Sequence, residues 1–302
     1  MLSIRAADWE QLPYFLAAAR TGSLRAAADL VHTNHGTVDR HIRALEALYK
    51  VQLFNRTRNG MSLTEAGEAL LPMAEEAEIL VLRAQRRLEG LDKTEAGTVR
   101  FSMPSILAHD VIAPILARFS EQYPEIDLEV RLTDRMENIN RLETDVSLRV
   151  SYEVNEDVIA RKLYQVVTGI YAHEDYIEKN FKNAGEGGEG LRWLGWGPLA
   201  PASTWIPGSP FPRAEESHSI EEGLMHLSMV RNKCGMTALP VIFEKLYPEL
   251  QRVPGTPLTA SRPIWILLHS DLRRTTRIRR FVDFLASELL KIKKDMQGEL
   301  VP

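Results

Sequence analysis

The N-terminal part of the chain places apolar residues with a helical period. Leu12, Phe15, Leu16 and Ala19 mark one amphipathic helix, Thr21-Gly22 interrupts it, and Ser23 stands where it can cap a second helix over Leu24 to Leu30. After a break at His32-Thr33-Asn34, the stripe Val38, Ile42, Leu45 and Leu48 predicts a third helix from His35 to Tyr49, with Asn34 as its cap. Leu53 to Leu63 reads as two short extended runs around the hairpin signal Asn59-Gly60. Thr64 then caps a long helix whose apolar positions Leu70, Met73, Ala77, Leu80, Ala84, Leu88 and Leu91 step by three and four, the pattern of a seam buried against a partner. Pro72 either kinks that helix or marks its true start.

Beyond a hinge-like Lys93-Thr94-Glu95-Ala96-Gly97 the pattern alternates. Val99 to Met103, Ile126 to Leu132, Val146 to Val150, Val166 to Tyr171, Met236 to Leu239 and Ile264 to His269 read as strands. Helices are predicted near Leu107 to Gln122, Ile220 to Val230 and Thr275 to Lys291. That order predicts parallel sheets with crossover helices. Gly185 to Gly190 reads as a mobile surface loop; it neither follows a clear strand nor opens a helix, and its acidic residues disqualify it as a phosphate cradle.

The 302 residues, 44% hydrophobic and 26% charged, are enough for two or three domains with their own cores. No apolar run approaches the roughly 18 residues of a spanning helix, and no basic stretch followed by an apolar one opens the chain, so a cytoplasmic protein without a membrane partner is expected. The single cysteine, Cys234, reads as a small buried residue. With no Cys/His cluster at metal-ligand spacing, neither structural zinc nor a two-cysteine redox switch is expected, and no cofactor is implied. Charge is unevenly spread: residues 1–60 hold eight Lys and Arg against five Asp and Glu, so +3 of the chain's net -4 and hence -7 for the remainder. A basic head can supply phosphate contacts while an acidic body repels DNA.

The helix from His35 presents His35, Thr37, Asp39, Arg40, His41 and Arg43 away from its apolar stripe, directly after a short helix and a tight turn. Such a helix fits the major groove. Arg40 and Arg43 would reach guanine edges or phosphates, and His35 and Thr37 would read bases near the helix start. A solvated helix face is the alternative for an isolated helix, but the turn, the basic hairpin and the charge asymmetry favour DNA. Arg56 and Arg58 flank the hairpin turn, close to a backbone or minor groove. Ser23 either clamps a phosphate at a helix N-terminus or caps its own helix.

These residues carry a resemblance. The run Phe15 to Leu30, with Thr21-Gly22-Ser23-Leu24-Arg25-Ala26-Ala27-Ala28 inside it, then Arg40 to Glu46, Gln52 to Thr57 and Leu63 to Gly67, resembles the DNA-binding domain of LysR-type transcriptional regulators over residues 9 to 72. Asp145-Val146-Ser147-Leu148-Arg149, Gly235 to Pro240 and Trp265 to Leu285 are similar to the family's effector domain in the expected order. The resemblance implies an α/β protein: a winged helix-turn-helix over residues 1–64, a linker and dimerisation helix over 65–92, and an effector-binding domain over 93–302. That domain would comprise two Rossmann-like subdomains of periplasmic-binding-protein type, roughly 98–165 with 265–302, and 166–264. It implies a homodimer or homotetramer on an interrupted palindrome of double-stranded DNA near a promoter, RNA polymerase as a further candidate partner, and a small-molecule effector, with a carboxylate as the candidate class, between the subdomains.

Ser23, Arg25, Asn34, His35, Thr37, Asp39, Arg40, Arg43, Arg56 and Arg58 are together the DNA-contact candidates; by the same resemblance Ser105, Thr133, Ser203 and Thr204 fall near effector positions, and Arg149 is a further effector candidate. Arg149 would pair either with an acidic ligand or with a neighbouring carboxylate. The chain departs from the family where Asn34-His35-Gly36-Thr37 replaces the usual Ser-Gln-Pro-Ala and where Asp39 stands in place of a small serine. Asp39 would repel phosphate or accept from a cytosine amino group. Enzymes are disfavoured because no nucleophile elbow, dinucleotide fingerprint, phosphate loop or metal set is visible.

Overall fold

The computed structural model describes residues 9–57, 60–89, 95–133, 144–154, 158–197 and 200–298. They form two compact units, one ending at Gln85 and the other beginning at Arg86.

The first unit opens with α1 (Leu12–Thr21), α2 (Leu24–Leu30) and α3 (His35–Tyr49). Gly22 ends α1 in the left-handed region at φ 62°, its N–H on the Ala18 carbonyl. Ser23 caps α2 by accepting from the Ala26 N–H, and Asn34 caps α3 by accepting from the Thr37 N–H at 2.9 Å. Phe15, Val38, Ile42, Leu45 and Leu53 are fully or almost fully buried between the helices. Each such side chain contributes about 1.5–3 kcal/mol of burial.

The wing is an antiparallel pair, β1 (Phe54–Thr57) and β2 (Gly60–Leu63), with Arg56 opposite Met61 and Thr57 opposite Gly60. Gly60 therefore begins a strand instead of occupying the turn. At φ 134° it brings the wing against the helical turn: a Cβ there would lie 2.7 Å from the Gly22 carbonyl oxygen, which accepts the Met61 N–H at 2.8 Å. The long helix α4 spans Glu65–Glu89 with Pro72 inside it, so Pro72 does not start the helix. Leu70, Leu71 and Ala74 pack into the head core, while Met73, Leu80 and Leu88 are exposed. The outward seam thus begins at Met73; Leu91 and the hinge positions 93 and 94 lie outside the described residues.

The second unit contains β3 (Gly97–Met103), α5 (Ser105–Leu107), a π turn over Ala108–Ile112, α6 (Ala113–Gln122), β4 (Ile126–Leu132), β5 (Val146–Val150) and β6 (Val158–His173). Pro114 has no N–H to offer the carbonyl of Asp110, which accounts for the π turn inside the predicted helix. There follow α7 (Glu174–Asn180), β7 (Arg192–Gly195), α8 (Ala202–Trp205), β8 (Glu215–Ser219), α9 (Gly223–Arg231) and β9 (Thr237–Pro240). The unit ends with α10 (Ile242–Leu246), β10 (Leu250–Arg252), β11 (Thr259–His269), α11 (Thr276–Lys291) and α12 (Lys293–Gln297).

The main sheet runs β10-β6-β11-β5-β3-β4, with β9 also on β6. Among the described strands of this sheet, parallel pairing is confined to β3 with β4 and β3 with β5; β11 is antiparallel to β5 and β6, and β9 and β10 are antiparallel to β6. The expectation of parallel sheets holds for β3 with β4 and β5 and for the separate pair β7 and β8, and not for the other pairings of the main sheet. The two long strands β6 and β11 change register between Ala260 and Trp265, opposite Val167 to Lys162. One core packs α6 and α11 on this sheet, with Phe101, Phe119 and Phe281 meeting edge to face at 5.0 Å. A second, smaller core gathers Tyr176, Trp193, Ala214, Met236 and Val253 under the parallel pair β7 and β8.

Gly185 to Gly190 is not a loose loop. Glu186–Gly188 form a 3-10 turn, Gly188 is buried at φ 84°, and a Cβ there would meet the Phe211 Cβ at 2.7 Å. The sequence hid this because the packing partner is distant. Cys234 is only partly buried and has a free thiol.

Candidate functional site

The outer face of the head is built by α3 and the wing. His35, Arg40 and Arg43 are exposed on α3, Arg25 is exposed on α2, and Thr37 and Ser23 are half-buried. The Asn34 and Ser23 oxygens are engaged in capping. Asp39 does not stand free: its carboxylate accepts from Arg43 Nε at 2.9 Å and lies 2.5 Å from a guanidinium nitrogen of Arg56. Arg58 lies outside the described residues.

His41 faces inward. Its ring stacks on Tyr14 at 3.9 Å and 5°, and its Nδ1 is 2.5 Å from Gln11 Oε1, which fixes the pitch of α3 against α1. Glu46 orients the wing by accepting from the backbone N–H groups of Leu53 at 2.8 Å and Phe54 at 3.3 Å. Thr64 donates to the Gln52 carbonyl at 2.6 Å and accepts from the Gly67 N–H, which seats α4 behind the wing. The face can therefore offer several cations and hydroxyls to a polyanion on rigidly held elements.

In the second unit a cavity of about 680 Å³ opens beside the ends of β3 and β5, the middle of β6, β7, β9 and the start of β11. Trp193, Trp196 and Trp205 line it with Thr133, Arg149, Thr168, Thr204, Thr237 and Arg262. Of the sequence candidates, Thr133, Arg149 and Thr204 reach it. Ser105 and Ser203 are not among its lining: Ser203 is exposed on α8, while Ser105 is 2% exposed and hydrogen-bonds Glu222. Burial alone would raise the Glu222 pKa; the Ser105 hydroxyl, the Leu224 and Met225 N–H groups and the nearby His109 outweigh it and hold the carboxylate below its ordinary range.

Arg149 is buried, with its guanidinium donating to the Leu148 carbonyl and to Ser102 Oγ at 2.8 Å each. Ser102, Ser147 and Thr144 continue a hydroxyl network beneath it. Trp193 and Trp205 meet edge to face at 5.1 Å and donate their indole N–H groups to Phe211 and Ala200 carbonyls. They leave ring surface, not donors, for an occupant.

Sequence reasoning missed the tryptophans and His226 behind them. Three of the chain's five tryptophans fall between residues 193 and 205, a clustering visible in the sequence. His226 is fully buried, stacks on Trp196 at 3.7 Å and has Nε2 within 3.1 Å of the Gly195 and Ile220 carbonyls. Those two acceptors fix the Nε2–H tautomer, so Nδ1 accepts from the Thr237 hydroxyl at 3.4 Å. Desolvation pushes the His226 pKa down, against the pull of the two carbonyls and Glu222. Among the described residues no group of three His, Cys, Asp or Glu side chains is arranged to hold a metal ion, and no helix is long and apolar enough to cross a membrane.

Residues 9–68 match the family described as bacterial regulatory helix-turn-helix protein, lysR family, and residues 92–290 match the LysR substrate binding domain. The chain is similar to the HTH-type transcriptional regulator CrgA of Neisseria meningitidis serogroup B, 26% identical over 294 residues that cover 93% of this chain and 96% of that protein. In fold it is similar to the solved structure of CrgA, with TM-score 0.57 and 23% identity over 95% of this chain and 99% of that one. It is likewise similar to full-length CbnR complexed with its target DNA, with TM-score 0.59 and 19% identity over 93% and 99%.

Proposed function

The chain belongs to the LysR family of bacterial regulatory helix-turn-helix proteins and is a DNA-binding transcription regulator with an effector domain, and we propose that α3 and the wing read an interrupted palindrome under control of a small molecule held in the tryptophan-lined cavity. The exposed bases of α3, set after two capped helices and beside a basic wing, are the observation that carries the DNA half of this reading. A CbnR structure holds target DNA with the same fold, which supports the assignment. His35, Thr37 and Arg40 are our base-reading candidates, and Ser23 and Arg25 our candidates for phosphate contacts.

The exposed stripe Met73, Leu80 and Leu88 on α4 suits the seam of a homodimer, from which a tetramer can be built. For the effector, aromatic walls, two guanidinium groups and the absence of Asp, Glu, His and Cys among the described residues that line the cavity favour a flat organic anion that is bound, not converted. We place the boundary between the two halves of the body at the register change in β6 and β11, where an occupant would alter their angle. Such a protein works where the DNA is, in the cytoplasm.

Selection of bound duplexes from a randomised pool tests the reading. Enrichment of an inverted repeat with a fixed spacer supports it; recovery of unrelated sequences with fully salt-sensitive binding refutes it.

A further inference from the structure

One acid sits among the bases of the reading face. Asp39 follows His35 and precedes Arg43 by one helical turn each, which puts all three on one side of α3. Its Oδ2 accepts from Arg43 Nε at 2.9 Å. Its Oδ1 lies 2.5 Å from Arg56, an ionic contact without hydrogen-bond alignment. The Asp39 side chain is 23% exposed against 67% for Arg43 and 41% for Arg56, so the carboxylate lies beneath the two guanidinium groups. Arg43 belongs to α3 and Arg56 to β1, and one carboxylate therefore ties the reading helix to the wing. Its two oxygens do for these arginines what two phosphate oxygens would do.

Building on the DNA-binding reading above, we propose that Asp39 is a specificity-determining residue: an internal stand-in for phosphate that occupies Arg43 and Arg56 until a duplex displaces it. Sequence-independent binding comes almost wholly from phosphate contacts, so a competitor for two cations weakens that mode most. An operator is also held by base contacts from residues that Asp39 does not touch, such as His35 and Arg40. The resemblance to the family places a small serine here, whose one short neutral hydroxyl carries no charge to hold two arginines at once.

The test is an anisotropy titration of the full chain against a labelled mixed-sequence duplex at several salt concentrations. Asp39→Asn, which keeps the shape and removes the charge, is expected to bind about three- to tenfold tighter at low salt, because each exposed ion pair released shifts the equilibrium up to a few-fold. The slope of log K against log salt is expected to steepen by up to about 0.9 for each arginine that newly reaches a phosphate. In a chain carrying Arg43→Ala and Arg56→Ala the gain is expected to vanish.

Unchanged or weaker binding by Asp39→Asn at an unchanged melting temperature overturns the proposal, as does a gain that survives in the alanine background, which would reveal plain repulsion between Asp39 and DNA. If Asp39→Asn melts early, Asp39→Ser is measured in its place under the same criteria. A parent chain that binds no duplex even at low salt would instead refute the DNA-binding reading, and this inference with it.

Discussion

Gly67→Ala sets helix propensity against packing. Propensity alone predicts that alanine in the first turn of α4 stabilises by about 1 kcal/mol. The structure opposes this: a Cβ at residue 67 would lie 2.3 Å from the Leu53 carbonyl oxygen and 2.8 Å from Leu63 Cδ2. That carbonyl cannot turn aside, because it accepts the Thr64 N–H at 3.0 Å while the Leu53 N–H is bound to Glu46 at 2.8 Å. Restoring contact distance requires α4 and the start of β1 to separate by about 1 Å. Overpacking against backbone falls in the upper part of the range of about 1–3 kcal/mol, leaving a net loss of about 1–2 kcal/mol after the propensity gain. For a unit of this size each kcal/mol moves the midpoint by about 4–8 °C, so calorimetry of the full chain should show the head melting roughly 5–15 °C earlier. DNA affinity should fall as well, since the wing moves relative to α3. A midpoint unchanged or raised would refute the packing argument.

Arg40→Ala should weaken DNA binding: a salt slope smaller by about one marks a phosphate contact, and relaxed preference at one base pair marks an edge contact. In a thermal screen of small organic acids, an effector at about a hundred times its dissociation constant should add about 2.7 kcal/mol to the body's stability. Trp205→Ala should abolish that shift and leave effector-free DNA affinity intact, whereas an unaltered shift would move the effector elsewhere. His226 gives a pH signature. Its pKa is lowered on folding, so the unfolded chain takes up a proton that the folded one refuses; stability is full above the ordinary value of 6.5 and declines as pH falls below it. His226→Gln should flatten that decline in urea titrations between about pH 7 and 5, and an identical decline would show that other groups cause it.

The head was legible because its signals are local. Ser23, Gly22, Asn34 and Thr64 act on backbone within a few residues, and the stripes Phe15-Leu16 and Val38-Ile42-Leu45 bury as their spacing predicts. The wing shows where locality ends: Asn59-Gly60 signalled a hairpin, yet the conformation of Gly60 answers to Gly22, far away in the chain. In the body, β8 went unread because Glu215–Ser219 is polar throughout, and its pairing with β7 carries no periodicity. The first half of β6 was missed for a similar reason, since Val158 to Leu163 mixes apolar and basic residues on a largely exposed stretch. Strand direction followed the same limit: β11 lies beside β5 and β6 through contacts that no spacing announces.

The cavity was the least legible part. Its walls come from several separate strands, so Thr133 and Thr204 could be placed only through resemblance. Ser105 resembled a ligand contact by position alone; its hydroxyl goes to Glu222 because α9 packs tightly on α5, where a Cβ on Gly223 would sit 2.9 Å from the Ile106 Cβ. Asp39 was singled out as a departure from the family pattern, but only the three-dimensional contact with Arg56 shows what it holds.

The central claim is that α3 and the wing read DNA. It is tested most directly by footprinting the purified chain, and a chain carrying Arg40→Ala with Arg43→Ala, on the DNA upstream of its own gene in the presence of unrelated competitor. The account predicts two protected half-sites about one helical turn or a multiple apart, resistant to competitor and lost in the double variant. Protection that the double variant retains, or that competitor removes entirely, would contradict it.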